Sequence, residues 1–300
     1  MKNVFKKSTM LLLFLIFVWG ASWPIYKIAL PYTPPILFAG MRATLGGLFL
    51  AIILYNKRDK IKLRENWRFY CISALLNTAL FFGIQTVGLN YLPGGLFSIL
   101  VYFQPVLLGL FAWIWLGEFM TPGKIIGLLI GFIGIAIVSL DGLTFHVSVI
   151  GVVLGLMTAI FWALGVIYVK KVSHRVNAFW MVSMQCIIGG FVLIIFGSFF
   201  ENFSDIVWNT EYISALTFGS ILGIPLAQLV YYKLIREGEA SKVGSFTFMV
   251  PIIAVILGAV FLDEPVTYLL VLGLIMVGLS IFIVNYRSKK KLIDYRKMGK

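Results

Sequence analysis

Ten long apolar runs constrain the fold of this chain more than any other feature. Most approach the roughly 20 residues that an α-helix needs to cross about 30 Å of hydrocarbon. They are continuously apolar rather than alternating, which favours helices over the strands of a membrane barrel. The sequence therefore predicts an all-α integral membrane protein with ten transmembrane helices. We number the runs as spans 1 to 10: Ser8–Leu30, Thr33–Tyr55, Phe69–Leu89, Gly94–Leu116, Ile125–Leu140, Val147–Val169, Ala178–Phe200, Tyr212–Tyr232, Val243–Leu262 and Val266–Tyr286.

Composition supports the membrane interpretation. The 300 residues are 60% hydrophobic and 12% charged, whereas a soluble domain is nearer half apolar and a quarter charged. The two cysteines, Cys71 and Cys186, lie inside spans and form no C-x-x-C pair. A disulfide framework and a metal site are therefore not indicated, and we expect no metal and no cofactor.

The placement of lysine and arginine predicts an orientation. If the N-terminus is inside, 23 of the 25 basic residues fall in inside segments, and only Lys27 and Arg42 do not. Cytoplasmic loops carry such an excess. We expect a multi-pass protein of the cell (inner or plasma) membrane with both termini cytoplasmic and residues 287–300 as a basic cytoplasmic tail. Because the net charge of +13 belongs to one membrane face, it does not indicate nucleic-acid binding.

The chain also contains an internal repeat, which predicts a first five-helix unit over residues 8–140 and a second over 147–286. Five is an odd number, so the second unit is expected to be inserted upside down. Inverted repeats are typical of transporters that hold substrate near the midplane and work by alternating access. With a first shift of 143 and a second shift of 146 positions, the matched pairs are Trp19 with Trp162, Lys27 with Lys170, Gly46-Gly47 with Gly189-Gly190, Pro105 with Pro251, Glu118 with Glu264, Thr121 with Thr267 and Gly127 with Gly273.

An ordered set of short motifs carries a resemblance to a known family. The motifs are Trp19-Gly20-Ala21-Ser22, Arg42, Pro105, Leu116-Gly117-Glu118, Phe161-Trp162-Ala163, Pro251, Asp263-Glu264-Pro265 and Gly273. With them, almost the whole chain resembles the ten-helix EamA-type members of the drug/metabolite transporter superfamily. The resemblance implies export or exchange of amino acids, other metabolites or toxic compounds, through a cavity between spans 1, 3, 4, 6, 8 and 9.

Residues within those spans are the candidate site. In span 3, Asn77, Phe81 and Gln85 follow helical spacing, which predicts one shared face. Hydrogen bonding between helices is the alternative for each polar side chain. The substrate-cavity candidates are Trp19, Trp23, Asn77, Phe81, Gln85, Tyr102, Trp162, Gln228, Tyr231 and Thr247. We interpret Pro105 and Pro251 as helix bends, because proline removes a backbone hydrogen bond.

Charges inside spans are scarce, and this narrows the mechanism. All twelve acidic residues lie in predicted loops or at span ends, so proton exchange on an embedded carboxylate is not supported. Arg42 is the one charge deep in a span, either an anchor for a substrate carboxylate or a structural cation. Lys27 and Lys170 are either interface anchors or gating charges.

The leading hypothesis is a transporter that exports small-molecule metabolites. The alternatives are an integral membrane enzyme, for which no catalytic motif is present, and a receptor or partner that does not transport. The expected partners are the lipid bilayer and the substrate. Glycine-spaced spans 5 and 10 are interpreted as scaffold, with a homodimer contact there as an open alternative.

Overall fold

The computed structural model describes residues 2–116, 122–140, 148–234, 247 and 249–298. Within these residues the ordered elements are helices. The α-helices are Lys2–Ala29, Pro35–Ile53, Leu63–Ala74, Phe81–Gly88, Gly94–Val101, Gln104–Leu116, Pro122–Leu140, Val149–Val172, Ala178–Gly197, Thr210–Phe218, Ala227–Leu234, Met249–Leu262 and Tyr268–Met298. Short 3-10 helices occupy Leu30–Tyr32, Tyr55–Lys60 and Phe203–Asp205, and π-helices occupy Leu75–Leu80 and Gly219–Leu226.

The helices reproduce the predicted spans in number and order. Seven helical segments of the described chain are long and apolar enough to cross a membrane, and three shorter apolar helices correspond to spans 5, 9 and 10. The prediction of an all-α integral membrane protein is confirmed. Large apolar side chains such as Phe17, Ile52 and Phe191 are exposed, as expected for surfaces that face lipid.

Side-chain oxygen atoms define where several helices begin. Ser148 and Asn177 accept hydrogen bonds from the first-turn amides of spans 6 and 7, and Asn209 does the same for span 8. These residues satisfy amide groups that a helix start leaves unpaired. Span 2 is capped from a distance, because Glu201 accepts from the amides of Ile36 at 2.9 Å and Leu37 at 2.8 Å.

Glycine pairs bring spans 2 and 7 into backbone contact. A Cβ atom added at Gly47 would lie 2.8 Å from the carbonyl oxygen of Ser183, and one at Gly190 would lie 2.9 Å from the carbonyl oxygen of Gly40. Under the first repeat shift of 143 positions, Gly47 corresponds to Gly190 and Gly40 corresponds to Ser183, so the two contacts are repeat counterparts. The structure therefore repeats its packing at the offset found in the sequence. The inversion of the second unit stays a prediction.

Spans 5 and 10 pack against each other through small residues. Ser280 donates a 2.5 Å hydrogen bond to the carbonyl oxygen of Gly127. Cβ atoms added at Gly131 and Gly134 would crowd Ser280 and Met276. The glycines of these spans thus serve a contact within the chain, which agrees with the scaffold interpretation.

Candidate functional site

A cavity lies where the two halves of the chain meet. It is bounded by side chains of spans 1, 3 and 4 from the first half and of spans 6 and 8 from the second. Seven of its eleven residues are aromatic, so its surface is mostly ring faces and edges. The lining residues are Trp19, Ser22, Trp23, Tyr26, Phe81, Phe82, Gln85, Tyr102, Trp162, Gly223 and Gln228.

Trp162 of span 6 connects the aromatic rings of both halves. Its ring centroid lies 6.1 Å from that of Trp19, 5.3 Å from that of Phe81 and 5.5 Å from that of Tyr102. The contacts with Trp19 and Tyr102 are edge-to-face, at 87° and 85°, an arrangement that aromatic pairs prefer. Movement between the halves would therefore change the cavity wall directly.

Two glutamines supply the polar part of the wall. Gln85 is 5% exposed, and the side-chain oxygen atoms of Gln85 and Gln228 have no hydrogen-bond partner among the described residues. An unpaired buried amide is costly, so these groups are available to a ligand. The cavity volume is about 60 Å³, enough for only about four to six water molecules.

Two π-helices position one wall of the cavity on each side. Leu75–Leu80 in span 3 precedes Phe81 and Gln85, and Gly219–Leu226 in span 8 precedes Gln228. The second repeat shift places the first of these segments within the other. Local π-helical turns are rare and recur at functional sites. The two π-helices lie at repeat-related positions of spans 3 and 8, which supports a functional role for both cavity walls.

The end of the bundle predicted to face outside is held by Lys27. Its Nζ donates a 2.9 Å hydrogen bond to the carbonyl oxygen of Leu92 and another to that of Leu89. Leu89 is the last residue of span 3, and Leu92 lies in the connection between spans 3 and 4. A lysine of span 1 therefore binds this connection at that end of the bundle.

Glu264, in the loop between spans 9 and 10, binds the same connection. Its carboxylate accepts hydrogen bonds from the amides of Gly94 at 2.5 Å and Gly95 at 3.0 Å, where the first helix of span 4 begins. The preceding Asp263 has a left-handed φ of 51°, which turns Glu264 back across the helix. A Cβ at Gly258 would overlap the carboxylate, so this turn requires glycine there. We call the contacts of Lys27 and Glu264 the outer clamp.

Comparison with known proteins now identifies the family. The sequence pattern of the EamA-like transporter family matches residues 6–140 and again residues 149–286. The chain belongs to the EamA-like transporter family. The two matched ranges correspond closely to the two units of the internal repeat.

Individual relatives of this EamA-like transporter extend over nearly its whole length. A Bacillus subtilis protein described as an uncharacterized transporter is 50% identical, covering 96% of this chain and 95% of that protein. An Escherichia coli protein named "Probable amino-acid metabolite efflux pump" is 27% identical over 95% of this chain and 97% of its own length. A solved crystal structure matches with a TM-score of 0.67 at 16% identity, covering 95% of this chain and 98% of its own, which supports the fold.

The cavity of this EamA-like transporter gathers most of the predicted site residues. Seven of the ten candidates line it: Trp19, Trp23, Phe81, Gln85, Tyr102, Trp162 and Gln228. Tyr231 lies behind them, with its ring 5.3 Å from Trp19. Asn77 instead donates to Ser73, and Thr247 is buried outside the lining. Asn77 departs from the face of Gln85 because the π-helix adds backbone between them and rotates that face.

The sequence interpretation missed four lining residues. Ser22 and Tyr26 lie three and seven residues after Trp19, so they share its helical face and were predictable from spacing. Gly223 is the counterpart of Asn77 under the second repeat shift, so the repeat could have predicted it. Phe82 offered no signal, because it follows Phe81 and belongs to a different face of a regular helix.

The two prolines predicted to bend helices, Pro105 and Pro251, differ in their local structure. Span 4 breaks at Tyr102 and Phe103, directly before the helix that contains Pro105. Pro251 lies in the first turn of the described helix of span 9, Met249–Leu262. The break at Tyr102 places its ring in the cavity wall. Glu118, the repeat counterpart of Glu264, lies outside the described residues.

Pro105→Ala is expected to slow transport with little loss of folded protein. Alanine restores a backbone donor, which straightens the break and reduces the freedom of the two halves of span 4 to move separately. Transport rate per folded molecule in proteoliposomes measures the effect. Unchanged transport would contradict the role of Pro105 as a moving bend.

Proposed function

We propose that this chain exports small metabolites, amino acids or related compounds, by alternating access through the cavity between its repeats. One observation carries this proposal: both halves contribute side chains to a single aromatic cavity. Transporters built from two repeats bind substrate at such an interface. The named efflux pump among the relatives supports export as the direction.

The lining indicates an amphipathic substrate. Seven rings provide apolar surface, and Gln85 and Gln228 provide hydrogen-bonding groups without a partner among the described residues. An amide both donates and accepts, so it suits compounds that carry polar groups beside an apolar body. Amino acids and related metabolites have this character.

The outer clamp supports alternating access as the mechanism. Lys27 and Glu264 bind opposite ends of one interhelix connection, and the cavity beneath holds only a few waters. Their repeat counterparts in the sequence are Lys170 and Glu118. We propose that access to the cavity alternates as the outer clamp opens and closes. The proposal includes the cell membrane as location, with both termini cytoplasmic.

An efflux screen tests the proposed function. Cells that overproduce the protein are challenged with toxic amino acids and analogues, and relief of growth inhibition is followed by counterflow in proteoliposomes with the labelled compound. Accumulation in cells should fall where growth recovers. If no compound is exported and none exchanges in liposomes, the protein is a receptor or partner rather than a transporter.

Replacing the cavity glutamines should reduce transport without unfolding the protein. Gln85→Leu and Gln228→Leu each remove a hydrogen bond to substrate, which predicts about three- to tenfold lower transport per folded molecule. Gln185→Leu is the contrasting variant, because Gln185 accepts a 2.5 Å bond from Ser73 outside the cavity. That variant should lower the melting temperature and keep transport per folded molecule. Equal transport in all three variants would contradict a role of the cavity amides.

A further inference from the structure

Arg42 is a fully buried charge whose hydrogen-bonding capacity is mostly unused. Its Nη2 donates to Thr86 Oγ1 at 2.7 Å, while Nε and Nη1 have no partner among the described residues. The guanidinium carbon lies 4.0 Å from the centroid of the Tyr26 ring and 5.3 Å from those of Phe38 and Phe82. The side chain is 0% exposed.

No carboxylate neutralises this charge within the described part of the chain, where the one ion pair within 4 Å joins Lys62 to Glu65 on the surface. Aromatic faces attract a guanidinium through their quadrupole but carry no net charge. The field of a buried cation is screened far less than that of a surface charge. Arg42 therefore imposes a positive potential on its surroundings.

The repeat-related position in the second half of the chain carries no charge. Under the first repeat shift, the counterpart of Arg42 is Gln185. Arg42 contacts Gly219, and Gln185 likewise contacts Ser73, which is the counterpart of Gly219 under the second shift. Gln185 is 1% exposed and accepts a hydrogen bond from Ser73. The second half thus fills the equivalent position with a neutral, hydrogen-bonded side chain. A purely structural role leaves the charge of Arg42 unexplained.

Arg42 lies directly behind the cavity wall. Tyr26 and Phe82 line the cavity, and the rings of both face the guanidinium. A single aromatic ring therefore separates the charge from an occupant of the cavity. Among the described residues that line the cavity, none is acidic, so nothing in that wall opposes the potential.

We propose that Arg42 makes the cavity selective for anions, so that the substrates are small amphipathic compounds bearing a carboxylate or another anionic group. The inference rests on the proposed transport function and adds the sign of the substrate's charged group. Recognition acts through the field behind Tyr26 and Phe82, without a contact between Arg42 and substrate. Organic cations are disfavoured.

Thiol reactivity in the cavity measures this potential without knowledge of the substrate. In protein carrying Cys71→Ala and Cys186→Ala, Ser22→Cys places one thiol in the cavity wall. Purified protein in liposomes is treated with sulfonatoethyl methanethiosulfonate, an anion, and with trimethylammonioethyl methanethiosulfonate, a cation. Each rate is divided by that of 2-mercaptoethanol with the same reagent. The ratio of anionic to cationic rate then reports the sign of the potential.

With Arg42 present, the normalised ratio of anionic to cationic rate should be about ten, since a buried unit charge acts at short range in low dielectric. Arg42→Gln should lower the ratio by about tenfold, and Arg42→Lys should keep it, because lysine preserves the charge. A ratio at or below one in the Arg42-containing protein overturns the inference, even if Arg42→Gln fails to fold. An unchanged ratio in Arg42→Gln also overturns it.

Failure of the transport proposal gives a different result. If neither reagent labels the Ser22→Cys thiol from either side of the membrane, the result contradicts alternating access. The inference about anion selectivity is then also rejected. Reaction with both reagents at a ratio below one leaves transport intact and rejects only anion selectivity. The two failures are therefore distinguishable in one assay.

Discussion

Gly47→Ala is expected to cost about 3 kcal/mol of stability, so that little folded protein is recovered. The added Cβ would lie 2.8 Å from both the carbonyl oxygen of Ser183 and the amide nitrogen of Ile187. Both are backbone atoms of span 7 and have no rotamer through which to move away. Spans 2 and 7 would have to separate along their length, and overpacking of this kind costs about 1–3 kcal/mol or more.

The repeat supplies a second test of the same contact. Gly190→Ala should be as damaging as Gly47→Ala, because its Cβ would lie 2.6 Å from the amide nitrogen of Thr44. Gly197→Ala is the matched control in the same helix, where the neighbours are side-chain methyl groups of Leu37 and Ile36 at 3.1 and 3.2 Å. Melting temperature and monodisperse yield in detergent measure all three. A Gly197→Ala variant as unstable as the other two would show that backbone contact is not the cause.

Those glycines show how far sequence reasoning reaches in this protein. Apolar run length predicted the helices, and self-comparison matched Gly46-Gly47 with Gly189-Gly190 as repeat counterparts. Both signals are local or repeated, so one sequence contains them. Trp19, Tyr102 and Trp162 were chosen by residue type on the spans that the family resemblance places around a cavity, and the structure brings them together.

Other features depend on partners far away in the chain. The π-helix before Phe81 has no sequence signature that hydropathy detects, and it moves Asn77 away from Gln85. The amides of Gly94 and Gly95 find their acceptor in Glu264, which belongs to the other half of the chain, so spacing cannot reveal the contact. Arg42 was recognisable as an unusual charge, but its distance from the cavity wall emerges only once the neighbouring rings are placed.

Glu264→Gln should weaken the outer clamp and change transport kinetics. An amide oxygen is neutral, whereas a carboxylate forms stronger charge-assisted bonds to the amides of Gly94 and Gly95. The variant also removes the negative charge beside Lys27. We expect a loss of about 1.5–3 kcal/mol from the closed arrangement, enough to raise the population open to the outside about tenfold or more.

Glu201 provides the matched control for this clamp. Its carboxylate also accepts two helix-start amides, those of Ile36 and Leu37, but it joins spans 2 and 7, which the glycine contacts hold together. Glu201→Gln should therefore lower the melting temperature without altering access to the cavity. Labelling of a thiol introduced by Ser22→Cys, with a reagent added only outside, separates the two variants. Faster labelling in Glu264→Gln alone fits a clamp that opens in each cycle, whereas equal acceleration in both variants means that either carboxylate merely stabilises the bundle.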